Sequence, residues 1–309
     1  MIISVSRRTD IPAFYSDWFF NRLKAGYVLV RNPMNYRQGG KVSLDPSVVD
    51  CLVFWTKDPS KLLERLDLLA DYNYYFQITI TGYGSKIERY LPPQEKIVAA
   101  TQELAQVIGR ERVIWRYDPI ILNSLLDLEY HQQQFTRLAK ELAASTNKCV
   151  ISFVDLYKKT QRNMGSIQVR MGETAMYQVA EALSLIAKDH GLVLETCSEQ
   201  IDLTTLDIKH GKCIDDDLIS ALSGRRLVAK KDPNQRSECG CVTSIDIGVY
   251  NTCPHGCLYC YANFSDKAVA NSVAQHDPKS AFLIGELEAD DVIKEREMQS
   301  FFTDQLSLF

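Results

Sequence analysis

The sequence predicts an α/β fold, a full or partial TIM-like (β/α) barrel with a cysteine cluster after its last strand. Three observations point there. Eight short β-rich runs recur along the 309 residues, most of them continuously apolar, as in strands buried on both faces of a parallel sheet. Helical periodicity fills most of the gaps between them. Eight such units in about 250 residues match a barrel of this class. A doubly wound open sheet is the alternative that the same pattern allows.

The runs are 2–5, 27–30, 51–55, 74–80, 113–117, 149–154, 192–196 and 243–249, and the helical patterns are 59–70, 94–108, 128–144 and 173–190. The last places Ala175, Val179, Ala182, Leu183 and Ile186 on one face and stops at Gly191. Residues 31–50 lack a helical pattern and carry Gly39-Gly40 and two prolines, which reads as a loop or hairpin. A further helix is expected at 290–302. The barrel is expected over 1–262 with a cluster loop at 251–263, and 263–309 as a C-terminal extension with a flexible tail.

With 46% hydrophobic and 24% charged residues, the composition excludes disordered, collagenous and coiled-coil classes. The balance of 35 basic against 39 acidic residues, net −4, argues against a broadly basic nucleic-acid surface but allows a local patch. The start, Met1-Ile-Ile-Ser-Val-Ser-Arg7-Arg8, has no apolar signal region, and no stretch is long and apolar enough for a membrane span. The expectation is a cytoplasmic protein with no membrane contact. In that reducing compartment nine cysteines, five of them between 239 and 260, bind metal more readily than they pair.

In a barrel the active site lies at the C-terminal ends of the strands. Arg7, Arg8 and Asp10 follow the first run, Trp55-Thr56-Lys57 the third and Arg116 and Asp118 the fifth. Lys158 follows the sixth run, and Glu195 stands near the end of the seventh. Arg7, Arg8, Asp10, Arg116, Asp118, Lys158 and Glu195 are therefore the candidate catalytic residues, although loops are polar in any protein.

Cys253, Cys257 and Cys260 form a CxxxCxxC run. Three thiolates can hold three irons of a 4Fe-4S cube and leave the fourth open, whereas structural zinc asks for four ligands. This run, with Tyr259 before the last cysteine, resembles the radical S-adenosylmethionine signature. Its Gly-Cys-x-Tyr-Cys-Tyr-Ala form is similar to the spore photoproduct lyase branch. The resemblance implies a 4Fe-4S cluster on the three cysteines, with Tyr259 near the adenine of S-adenosylmethionine. It also implies chelation of the unique iron by that cofactor's amino and carboxylate groups. An electron donor and one-electron cleavage to methionine and a 5′-deoxyadenosyl radical complete the implied chemistry. Two features depart from the pattern: the motif follows the last strand rather than the first, and no Gly-Gly-Glu stretch is present. In a closed barrel the last strand lies beside the first, so the cluster loop would face residues 6–10. Arg7 or Arg8 would there hold the cofactor's carboxylate by a two-pronged hydrogen bond.

Cys197, Cys213 and the Cys239-Gly-Cys241 pair are candidates for a second four-thiolate site, either 4Fe-4S or zinc, or else are plain thiols. Cys51 and Cys149 read as core thiols. His255 is expected behind the ligands or in solvent, and His131 and His190 exposed on helices. Ser-Arg-Arg-Thr-Asp-Ile-Pro at the start, Arg-Tyr-Asp-Pro, Cys-Gly-Cys and Thr-Cys-x-x-Gly-Cys-x-Tyr-Cys-Tyr-Ala-Asn together resemble a bacterial family, domain of unknown function 1848, over nearly the whole chain. That resemblance implies an iron–sulfur protein with no established reaction.

The chain ends Gln305-Leu306-Ser307-Leu308-Phe309, similar to the peptide with which bacterial repair proteins and polymerases engage the replication sliding clamp. Two leucines and a phenylalanine suit an apolar groove, and Gln305 would set the register. An apolar tail packed on its own barrel is the alternative. Lys158-Lys159 with Arg162, Arg225-Arg226 and Lys230-Lys231 could contact DNA phosphates. The reading is thus an iron–sulfur, radical S-adenosylmethionine-type enzyme acting on a DNA lesion or nucleotide. A non-catalytic Fe-S or zinc module recruited to the clamp, and a radical enzyme for a small metabolite or peptide, stand beside it.

Overall fold

The apolar runs become strands because each has a layer to bury against on both sides. The computed structural model describes residues 1–156, 158–165, 167–170 and 172–303, and of Lys158 and Lys159 the backbone alone. The strands are β1 (Ile2–Val5), β2 (Tyr27–Asn32), β3 (Asn35–Ser43), β4 (Cys51–Thr56), β5 (Tyr74–Thr79) and β6 (Val113–Ile120). They continue as β7 (Lys148–Phe153), β8 (Val193–Thr196), β9 (Lys209–His210), β10 (Ile245–Asp246) and β11 (Val292–Glu295). The helices are α1 (Ile11–Phe14), α2 (Ser16–Ala25), α3 (Ser60–Leu63), α4 (Gln94–Ile108), α5 (Leu128–Leu142), α6 (Lys158–Asn163), α7 (Glu173–Asp189), α8 (Asp216–Ser223) and α9 (Asp266–Val273).

Eight strands form one parallel sheet in the order β10-β1-β4-β5-β6-β7-β8-β9. From β1 to β9 the order runs one way across the sheet, and β10 then pairs with the outer side of β1. Period-two alternation then separates two cores. Leu52, Phe54, Phe76 and Ile78 face the helices, meeting Leu104, Phe135, Leu138 and Leu183. Ile2, Cys51, Val53, Tyr75, Ile114 and Val150 face the other way, covered by Ile214, Leu227, Cys239 and Cys241 together with Phe301 and Phe302. Asp50, at the foot of β4, accepts the Phe301 N–H at 2.8 Å and seats that cover. Beyond the two edge strands, the Val242 N–H donates to Ile214 O at 3.2 Å.

Several expectations change. The run at 27–30 is not in the main sheet: β2 and β3 form an antiparallel hairpin that β11 joins in parallel. The helix expected at 290–302 is instead β11, because β-branched Val292 and Ile293 register against Gln38 and Gly39. The missing Cβ of Gly39 makes this approach feasible, since it would lie 2.7 Å from Ile293 Cδ1. The last run of the main sheet shortens to two residues, and 59–70 breaks into α3 and a 3₁₀ turn at Leu66–Leu69. Residues after 262 are tied to α2, where the Trp18 indole N–H reaches Ser280 O and Phe282 O, both at 3.0 Å. The clamp-like peptide Gln305, Leu306, Ser307, Leu308 and Phe309 lies outside the described residues. No helix among the described residues is long and apolar enough to cross a membrane.

His131 is fully buried rather than exposed. It shares the core-facing stripe of α5 with Phe135, Leu138 and Leu142, a spacing that the sequence carries. Its Nε2 lies 3.0 Å from Ile121 O, an acceptor only, so Nε2 carries the proton and Nδ1 accepts from Tyr117 O–H at 2.9 Å. Burial lowers its pKa from the ordinary value near 6.5. The unfolded chain therefore gains a proton that the folded one refuses, and stability falls as pH drops below about 6.5. We predict that the urea unfolding free energy declines from neutral to mildly acid pH and that His131→Gln flattens this decline. An equally steep decline in the variant would contradict the assignment.

Candidate functional site

Parallel pairing of β10 with β1 sets Ser4 opposite Asp246. The buried Asp246 carboxylate accepts from Ser4 Oγ and Ser6 Oγ, each at 2.7 Å, and from the N–H of Arg7 and of Gly248, each at 2.9 Å. It also faces Arg7 Nε at 3.8 Å and Arg8 Nε at 3.9 Å. Two guanidiniums are thus fixed on one carboxylate, leaving one positive charge in excess. Both arginines line a cavity of about 570 Å³ at the C-terminal ends of the strands. Asp246 was not singled out from the sequence, although a lone carboxylate inside a β-rich run is the signal that marks it.

The three-cysteine loop leaves β10 and returns over this cavity. Asp10 anchors one side: Oδ1 caps α1 through the Ala13 N–H at 3.0 Å, while Oδ2 accepts from the Lys57 N–H at 2.7 Å and His255 Nε2 at 2.8 Å. Its oxygens are therefore committed to holding loops, a positioning role. His255 is buried behind the loop rather than in solvent. Glu88, missed in the sequence, anchors the other side. It takes Lys57 Nζ at 2.7 Å and the Tyr259 hydroxyl, while the Leu258 N–H donates to Ile87 O at 3.0 Å. Gly256 sits at φ +66°, where a Cβ would lie 2.5 Å from the Tyr90 ring. Glycine is required there, before Cys257.

Cys253, Cys257 and Cys260 are half-buried and line the cavity. Burial holds the Cys253 thiol well above its ordinary value and pushes Cys257 up to about 12. A metal binding here must displace thiol protons. Cys197, Cys213, Cys239 and Cys241 line the same cavity. Cys197 Sγ is 3.2 Å from Cys213 Sγ, and the N–H groups of Cys213 and Ile214 point at Cys241 Sγ from 3.3 and 3.4 Å. Among the described residues no three cysteine sulfurs lie within 4.8 Å of one another. A single tetrahedral zinc, with Zn–S near 2.3 Å, needs separations of about 3.8 Å.

Arg116 reaches the centre. Nη1 contacts Gln77 Oε1 at 3.0 Å and Cys213 Sγ at 2.9 Å, while Nε and Nη2 grip Asp118 at 3.1 and 2.5 Å. Burial disfavours its charge, but Asp118 and the thiols outweigh burial and raise its pKa. Glu199 also lines the cavity; it accepts the Phe153 N–H at 2.8 Å, and burial pushes its carboxyl up to about 7. Thr9 Oγ1, Ser198 Oγ and His255 Nδ1 belong to residues on the cavity wall and are buried with no hydrogen-bond partner among the described residues.

The structure thus gathers Arg7, Arg8, Asp10, Arg116, Asp118, Tyr259 and all seven candidate metal cysteines. Glu195 is not on the cavity wall and pairs with Lys148 at 2.9 Å. Lys158 opens α6, and its side chain lies outside the described residues. Cys51 and Cys149 are fully buried, as expected for core thiols. Alkylation of reduced, metal-free native protein, mapped by mass spectrometry, should label the half-buried Cys197, Cys253, Cys257 and Cys260 ahead of the fully buried Cys51 and Cys149, which should wait for denaturant. Equal labelling of all nine would contradict this placement.

Residues 2–262 match the model of a family described as Domain of unknown function (DUF1848). This span runs from β1 through the three-cysteine loop. No curated protein matches the chain.

Proposed function

The chain belongs to the DUF1848 family, a membership that fixes no reaction, and from the residues of the site we propose an iron–sulfur enzyme of the radical S-adenosylmethionine type. One observation carries this reading: the loop at 251–263 offers three cavity-lining thiols and no fourth thiol of its own. Its imidazole is held by Asp10 through Nε2, and the remaining cavity cysteines contact one another or Arg116. Three soft ligands with an open position suit a 4Fe-4S cluster that binds a further ligand. The orphaned Thr9, Ser198 and His255 atoms are unmet polar groups that a bound molecule would satisfy. When bound, the cluster and S-adenosylmethionine supply a one-electron cleavage of the sulfonium that yields a hydrogen-abstracting radical.

The protein's own groups bind and orient. Arg7 and Arg8 present guanidiniums to a carboxylate, held in place by Asp246. Tyr259, fixed through Glu88, gives an adenine a flat wall. Glu199 stands where a proton can be held or passed near neutral pH. The parallel sheet is proposed to curl as an open (β/α) barrel, with β9 and β10 as its free edges.

The substrate class proposed is a nucleotide or DNA lesion. Exposed aromatics surround the loop, with Arg8 over Tyr250, Arg89 over Tyr90 and Arg162 over Phe264 at 5.1, 5.2 and 4.6 Å. Aromatic rings beside guanidiniums suit stacked bases and phosphates. The tail at 305–309 is proposed to recruit the enzyme to the sliding clamp. Its deletion should abolish co-elution with the clamp, and unchanged co-elution would refute that part.

For the cluster, anaerobic reconstitution of Cys257→Ala should lose about four irons relative to wild type. Arg7→Ala with Arg8→Ala should weaken S-adenosylmethionine binding on the order of tenfold or more, as expected for a lost charge-assisted pair. A wild-type protein that takes up zinc and no iron would defeat the proposal.

A further inference from the structure

We infer that Cys197, Cys213, Cys239 and Cys241 form a second iron–sulfur site, which clasps the two edges of the main sheet. The four come from three separate stretches: the residue just after β8, the segment after β9, and the Cys-Gly-Cys before β10. They nevertheless converge in one contact chain. Cys197 meets Cys213 at 3.2 Å, and Cys241 is bonded by the N–H of Cys213 and of Ile214 and lies against Cys239.

Two further features favour thiolates over thiols. The Arg116 guanidinium points at Cys213 Sγ from 2.9 Å, and two backbone N–H groups point at Cys241 Sγ. Donors aimed at sulfur stabilise the anionic form that a metal requires. Arg116 itself is almost wholly buried and gripped by Asp118, so this donor is held on the Cys213 thiol. The sulfurs touch in sequence along this contact chain, and among the described residues no three of them lie within 4.8 Å of one another, as all four would around one tetrahedral ion.

The location gives the site a task. β9 and β10 have two residues each, and beyond them Val242 N–H and Ile214 O join the two edges. Cys213 belongs to one edge and Cys241 to the other, so a shared centre would hold both.

The test removes the first set, so that its outcome is independent of the radical reading. Cys253→Ala/Cys257→Ala/Cys260→Ala protein, reconstituted anaerobically with iron and sulfide, should keep about four irons and four sulfides per chain. Its thermal midpoint should rise on loading. Adding Cys213→Ala and Cys241→Ser should abolish both effects. Should that variant fail to fold, the loaded triple variant should still shield the four cysteines from alkylation. No iron in the triple variant, a single bound zinc, a Cys197–Cys213 disulfide in its place, or unprotected thiols after loading would each overturn the inference.

Discussion

The site depends on the parallel pairing of β10 with β1. It brings residue 246 beside residue 4, across more than 240 positions of sequence. One carboxylate then fixes the backbone turn of 6–8 and the two arginines beside it. Because the cluster loop leaves the same short strand, the thiols arrive next to those arginines. A parallel sheet delivers the C-terminal ends of all its strands to one rim.

Around the cavity, Asp246 answers Arg7 and Arg8, Asp118 answers Arg116, and Glu88 answers Lys57. Each of these charges has an opposite charge beside it, with one positive charge left over at Arg7 and Arg8. Each pair is desolvated, and removing one partner typically costs about 3–5 kcal/mol because the other charge is left stranded. Such pairs are weak evidence of stabilisation, since apolar side chains of similar size often serve as well. Their value here is geometric. Lys57, Glu88 and Tyr259 form a brace from β4 to the loop, and Asp10 forms another through His255. The loop is thus held from two sides, through Glu88 and through Asp10.

Much of this was legible in the sequence, for reasons that differ by element. Continuous apolar runs identified the central strands because both faces are buried. The close spacing of Cys253, Cys257 and Cys260 identified thiols that share one loop and line one cavity. The strand at 292–295 was read as helix because its partner, the hairpin at 27–43, is far away in sequence and a four-residue strand has no period of its own. Glu88 and Asp246 escaped notice for a related reason. Their importance comes from what they touch, Tyr259 and Lys57 in one case and Ser4, Arg7 and Arg8 in the other, and no local pattern carries such contacts. Glu195 was chosen by its place near a strand end, but it lies one pleat deeper than Cys197 on the same face and pairs with Lys148 below the cavity.

The central claim is that three thiolates leave one iron free to take an amino and a carboxylate group. Electron–nuclear double resonance on the reduced, reconstituted protein tests it directly, using S-adenosylmethionine labelled with ¹⁵N at its amino group. A ¹⁵N coupling strong enough for direct ligation to the cluster is the predicted result. A reduced cluster whose spectrum shows no such coupling in the presence of the labelled compound would contradict it.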